Sequence, residues 1–139
     1  MPSVLDTSAL LALARNEPGA DQVIDTLGTP GNDCYVHQTN LCEVYYATAR
    51  YYGEDHAALT VHELLHTAGI LPFASPDLQF IWEVGRLRAR ITSERLSASL
   101  ADCFCIATAR YLGCDLLTSD RREFEPVAAL GLCQVLFIR

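Results

Sequence analysis

Residues 4–10, Val4-Leu5-Asp6-Thr7-Ser8-Ala9-Leu10, pass from a short apolar strand straight into a helix, with one carboxylate at the joint. A strand buried on both faces of a parallel sheet is a short apolar run. Open α/β sheets hold their ligands outside the carboxyl ends of such strands. Asp6 therefore stands where a site acid belongs. It is equally well placed to cap the helix that follows, since Asp, Thr and Ser are all good N-caps. Three further acids in similar settings give the first one its interest.

The rest of the chain repeats the alternation. Helices are expected over Thr7–Ala14 and Ala20–Leu27, the second ended by Gly28 and Pro30. Cys34–His37 reads as a second strand. Thr39–Tyr52 is helical, with Leu41, Val44, Tyr45, Thr48 and Tyr52 on one face at three- and four-residue steps. Asp55–Ala68 is a further helix closed by Gly69. Ile70–Phe73 is a short strand, placed near a sheet edge by Pro72. Ser75-Pro76-Asp77 opens a helix to about Ile91, and Thr92–Ala98 is a polar connector. Ser99–Leu112 is the most apolar helix. Asp115–Thr118 is a fourth strand, Arg121–Phe124 a short helical turn stopped by Pro126, and Leu132–Ile138 a fifth strand. This pattern predicts an α/β fold, a three-layer α/β/α sandwich around a mainly parallel sheet of about five strands. Residues 1–139 are expected to be one domain, long enough to bury a core without metal or disulfide staples.

Composition narrows the function classes. Half the residues are apolar, and no apolar run approaches the roughly 20 residues that span a bilayer. No basic-then-apolar leader opens the chain, so no secretory signal is expected. The six cysteines form no Cys-x-x-Cys pair and lie mostly in apolar runs, as reduced core thiols of a cytoplasmic protein would. A net charge of −7 disfavours a nucleic-acid binder held by bulk positive charge. It suits a basic partner, or a site that takes up cations. All ten basic residues are Arg. Without Lys there is no P-loop and no Schiff-base chemistry.

Four acids carry the candidate chemistry: Asp6, Glu43, Asp102 and Asp120. Asp120 follows the fourth strand much as Asp6 ends the first. Glu43 and Asp102 fall in the first turns of helices that open on the same sheet edge. Each has a structural explanation as well. Asn40–Glu43, Ser99–Asp102 and Asp120–Glu123 all have capping-box spacing. Asp102 is the hardest to explain that way, because its helix is apolar nearly all round and places it beside Ile106 and Ala109. A buried carboxylate needs a partner, and Arg110, the nearest Arg on that helix, is two turns away. Four converging acids with no base among them suit Mg²⁺ or Mn²⁺, which take hard oxygen ligands and promote phosphoryl displacement.

With these pieces in place the chain resembles the PIN domain, and within it the VapC-like ribonuclease toxins of bacterial toxin–antitoxin pairs. The matching stretches are residues 4–10, Glu43, Leu100-Ala101-Asp102-Cys103-Phe104-Cys105-Ile106-Ala107, and Leu117-Thr118-Ser119-Asp120 with Phe124. The resemblance implies Mg²⁺- or Mn²⁺-dependent RNA cleavage. Asp6, Glu43, Asp102 and Asp120 would be the metal-site and catalytic acids, supported by Thr7 and by Thr118 or Ser119. It further implies a homodimer, and a small antitoxin whose basic tail enters the acidic groove. RNA grip would fall to Arg86, Arg88, Arg90, Arg95, Arg121 and Arg122, residues that also suit an ordinary solvated face.

A rival motif lies in the middle of the chain. His62-Glu63-Leu64-Leu65-His66 is a literal H-E-x-x-H, which on a helix can bind zinc with the Glu as general base. The extended metzincin pattern would put a third His at position 72, which is Pro72, and the only Met is Met1, so there is no downstream Met-turn. Ala57, Ala58, Val61, Leu64, Leu65 and Ala68 would form the buried stripe of this helix, leaving His62, Glu63 and His66 on its open side. Glu83 could supply a third ligand. A third reading is a PIN-like module that binds a protein and cuts nothing. His37, at a strand end, is expected to be a packed, hydrogen-bonded histidine. The tyrosines at 45, 46, 51 and 52 are expected in the core or on a dimer surface.

Overall fold

The computed structural model describes residues 1–139. Five parallel strands form one sheet in the order β3-β2-β1-β4-β5: β1 Ser3–Leu5, β2 Cys34–His37, β3 Leu71–Phe73, β4 Asp115–Thr118 and β5 Val135–Phe137. Seven α-helices connect them: α1 Thr7–Arg15, α2 Ala20–Gly28, α3 Gln38–Tyr52, α4 Glu54–His62, α5 Leu78–Ser93, α6 Leu100–Leu112 and α7 Arg121–Ala129. The expected α/β sandwich is present.

The pleat sorts the core into two halves. Val4 and Leu116, paired across β1 and β4, point to one face and pack with α5, α6 and α7. Leu5 and Leu117, one residue on, point to the other, with α1, Val23, Val44 and Leu64. Side chains alternate along a strand, so each central strand must be apolar throughout to serve two cores. Pro72 sits on edge strand β3, where its missing N–H costs no ladder bond. All six cysteines are free; Cys34, Cys103, Cys105 and Cys114 are buried, while Cys42 is exposed.

Four local expectations are corrected. The helix after Gly53 is not one α-helix to Ala68. α4 stops at His62, and Glu63–Thr67 is a π-helical turn in which the Ala68 N–H reaches Glu63 O at 2.9 Å. The wider turn lets Leu64 and Ile70 both enter the core. α7 runs through Pro126 to Ala129. A mid-helix proline costs about 3 kcal/mol, and full burial of Phe124 and Val127 offsets this at about 1.5–3 kcal/mol each. The fifth strand is shorter than Leu132–Ile138, because the Leu132 N–H turns back to Val127 O to close α7. On α3 the buried residues are Asn40, Val44 and Thr48, while all four tyrosines are exposed. These four are thus on the surface and not in the core.

The turn chemistry agrees with the sequence elsewhere. Gly69 and Gly113 take positive φ after their helices, as a C-terminal stop requires. Arg95 does the same without being glycine, at φ 58°.

Candidate metal site at the carboxyl edge of the sheet

β1 and β4 are neighbours and parallel, so their carboxyl ends lie side by side. Asp6 follows one and Thr118 ends the other. Asp6 is 2 % exposed. Its Oδ1 accepts from the Ala9 N–H at 2.9 Å, capping α1, and from Ser8 Oγ at 2.8 Å. Its Oδ2 accepts from Thr118 Oγ1 at 2.6 Å. Asp6 thus caps α1 through one oxygen while Thr118 holds the other. Burial pushes its pKa up to about 7. The hydrogen bonds from Thr118, Ala9 and Ser8 pull the other way, and the Asp102 charge adds to the rise.

Asp120 caps α7 by accepting the Glu123 N–H at 3.1 Å, and its own N–H donates to Thr118 Oγ1 at 3.0 Å. Asp102 and Ser99 form a reciprocal capping box at the start of α6. Asp102 is half-buried, so a cap partly answers the objection to a carboxylate on an apolar helix. Its pKa is nonetheless pushed up to about 6, first by burial and then by the charges of Glu43 and Glu123. Arg110 is no partner for it; that guanidinium pairs with Glu83 at 2.8 Å.

Glu43 lies in the second turn of α3, not the first, because α3 starts at Gln38 with His37 as its cap. The Asn40–Glu43 capping box is therefore absent. Asn40 is instead fully buried; its Nδ2 donates to Thr7 Oγ1 at 3.2 Å, and Thr7 in turn donates to Glu43 Oε1. Thr7 is the support expected for it. Of Thr118 and Ser119, it is the Thr118 hydroxyl that touches the acids, whereas Ser119 contributes its N–H to Ser8 Oγ at 3.0 Å.

One pocket of about 340 Å³ collects these groups. Asp6, Glu43, Asp102 and Asp120 all line it, together with Thr7, Ser8 and Glu123, and no Arg or His does. Glu123 is the residue sequence reasoning passed over. Its Oε2 is buried and has no hydrogen-bond partner. An unpaired carboxylate oxygen is costly to bury. As the side chains stand, no three ligating groups close on one point. Each acid is held by its own donor: Asp6 by Thr118 and Ser8, Glu43 by Thr7, Asp102 by Ser99, Asp120 by the start of α7. The donor set, hard oxygens and like charges with no base, fits Mg²⁺ or Mn²⁺.

The H-E-x-x-H segment lies elsewhere. His62 and His66 are exposed, and none of the residues lining the acidic pocket comes from α4 or the π turn. Of the expected buried stripe, Ala57 and Leu64 are buried, but Ala58 is exposed. Glu83 belongs to α5, on the other face of the sheet, and is paired with Arg110 and Arg86. The pair therefore has no third protein ligand. His37 is packed as expected, stacked on Phe80, with Nδ1 accepting the Thr39 N–H at 3.0 Å and Nε2 facing Ser75 Oγ at 3.0 Å.

No curated protein sequence matches the chain. Solved structures do, over nearly their whole length. VapBC2 from Rickettsia felis, bound to a DNA fragment from its promoter, superposes with a TM-score of 0.78 at 12% identity, covering 99% of this chain and 98% of that one. DNA-bound VapBC from Salmonella typhimurium gives 0.76 at 18%, covering 100% and 99%. VapC20 from Mycobacterium tuberculosis, a toxin cleaving the sarcin–ricin loop, gives 0.71 at 16%, covering 90% and 94%. At such identities the likeness is one of fold. A family model for the PIN domain matches residues 3–130, from β1 through α7, and the chain belongs to the PIN-domain family.

Proposed function

We propose that this PIN-domain protein is a Mg²⁺- or Mn²⁺-dependent endoribonuclease, the toxin of a toxin–antitoxin pair, with residues 1–139 acting as its one domain. The observation that carries the reading is the pocket lined by five carboxylates, one of which leaves a buried oxygen without a partner. The likeness in fold to VapC chains, one of them an RNA-cleaving toxin, supports it.

Asp6, Glu43, Asp102 and Asp120 would hold the ion, with Glu123 beside them. A bound divalent ion supplies charge stabilisation at the phosphodiester and a water of lowered pKa. Thr118, Ser8 and Thr7 hold three of the acids in place by hydrogen bonds that need not break when substrate arrives. The high pKa of Asp6 means that ion uptake at neutral pH releases a proton there. Of the six Arg residues considered for RNA grip, Arg88, Arg90, Arg95 and Arg122 have no carboxylate partner in the chain and are free for RNA phosphates, whereas Arg86 and Arg121 are paired.

The same acidic pocket suits the basic tail of a small antitoxin protein, and exposed Tyr46, Tyr51 and Tyr52 suit a homodimer contact. No helix is long and apolar enough to cross a membrane, and the proposed site of action is the cytoplasm. The test is incubation of purified protein with end-labelled RNA, in Mg²⁺, in Mn²⁺ and in EDTA. Internal cuts in the two metals and none in EDTA are expected. No cleavage together with no uptake of either ion would favour the non-catalytic binding module.

A further inference from the structure

The imidazoles of His62 and His66 stand with ring centres 4.5 Å apart, tilted by 43°. Both side chains are exposed, where α4 gives way to the π-helical turn Glu63–Thr67. Single π turns are rare and recur at functional sites. The acidic pocket draws nothing from this segment.

With metal–nitrogen bonds of about 2.1 Å and ring centres about 1.1 Å beyond the nitrogen, two imidazoles on one ion have centres about 4.5 Å apart at a right angle and about 5.2 Å apart at the tetrahedral angle. The observed 4.5 Å is the separation a right angle gives once a nitrogen of each ring turns to the same ion. Neighbouring positions in square-planar or octahedral coordination have that angle, which Cu²⁺ and Ni²⁺ adopt with imidazole ligands. We propose that His62 and His66 form a second metal site, chemically distinct from the acidic pocket, that takes one late divalent transition ion of the Ni²⁺ or Cu²⁺ type. Water completes its coordination, since the structure supplies no third protein ligand. The site does not depend on the nuclease reading. It selects borderline ions through nitrogen, whereas the pocket selects hard ions through oxygen.

The experiment is a Ni²⁺ titration followed by the imidazole NMR signals, with excess Mg²⁺ present to occupy the acidic pocket. The chain has four histidines, so each signal can be assigned. The signals of His62 and His66 should broaden together at or below one equivalent, while those of His37 and His56 persist. In His66→Gln, His62 should need at least tenfold more Ni²⁺ to respond. The same variant should cut RNA in Mg²⁺ at the wild-type rate. Equal response of His56 and His62, or an unchanged His62 response in His66→Gln, would overturn the site in favour of independent single-histidine binding.

Discussion

Thr118 Oγ1 donates to Asp6 Oδ2 over 2.6 Å, joining the carboxyl ends of two adjacent strands that are 112 residues apart in the chain. The same hydroxyl accepts the Asp120 N–H, so one side chain fixes two of the acids that line the pocket. Thr118→Val keeps the shape and removes both bonds. It should cost about 1–3 kcal/mol in urea unfolding and lower RNA cleavage by about tenfold or more. Thr118→Ser should recover most of both.

Asp6 and His37 tilt stability in opposite directions with pH. The Asp6 pKa is raised by burial to about 7 from 3.8, so the folded state holds its proton more tightly than the unfolded one. Its contribution is full below about pH 4 and is lost as pH rises towards 7. His37 is lowered by burial to about 4 from 6.5, so its contribution is full above pH 6.5 and is lost as pH falls to 4. Metal-free protein should therefore be more stable at pH 6 than at pH 8. Asp6→Asn should abolish or reverse that difference, leaving the opposite tilt of His37, and raise metal-free stability at pH 8 by roughly 1–3 kcal/mol, with thermal melting at the two pH values as the check. A melting temperature at pH 8 equal to or above that at pH 6 would count against the buried, proton-holding Asp6.

Glu123 lines the acidic pocket, and one of its carboxylate oxygens is buried with no partner. Glu123→Gln replaces the charge and keeps the size. Calorimetric titration should show Mn²⁺ affinity falling by roughly tenfold, with the unfolding midpoint in EDTA unchanged or higher. Unchanged Mn²⁺ affinity would remove Glu123 from the site.

Arg95 sits at φ 58°, where glycine is the usual residue, and follows α5 in the stretch that leads to Ser97 and Ser99 on the pocket wall. Arg95→Gly relieves the left-handed strain but gains unfolded-state entropy, so stability should change by less than about 1 kcal/mol. If Arg95 contacts RNA phosphate, the variant should raise KM and flatten the salt dependence of cleavage while kcat holds. Identical KM and salt dependence would assign Arg95 to the turn alone.

Much of the fold was legible because alternating short apolar strands and periodic helices leave few arrangements. Val4, Leu5, Leu116 and Leu117 had to be apolar to serve two cores, and Pro72 marked an edge. The four acids were legible as a set, and all of them line one pocket. Three features were hidden for physical reasons. Glu123 reads as half of a capping box, and only the packing of α7 shows its free oxygen turned inward. Asn40 reads as a helix cap, yet His37 takes that role and leaves Asn40 buried behind Thr7. The π turn depends on where Leu64 and Ile70 must reach the core, which no local pattern encodes. Pro126 misled in the opposite sense, because burial of Phe124 and Val127 outweighs the lost hydrogen bond.

In the proposed function the acidic pocket binds a divalent ion, and this ion is required to cut RNA. The most direct measurement is the rate of RNA cleavage against Mn²⁺ concentration for wild type and for Asp102→Asn. Wild type should show a saturable, metal-dependent rate, and Asp102→Asn should fall by at least about a hundredfold with the fold intact by circular dichroism. Cleavage that persists in EDTA, or an Asp102→Asn curve that overlays wild type, would contradict the account.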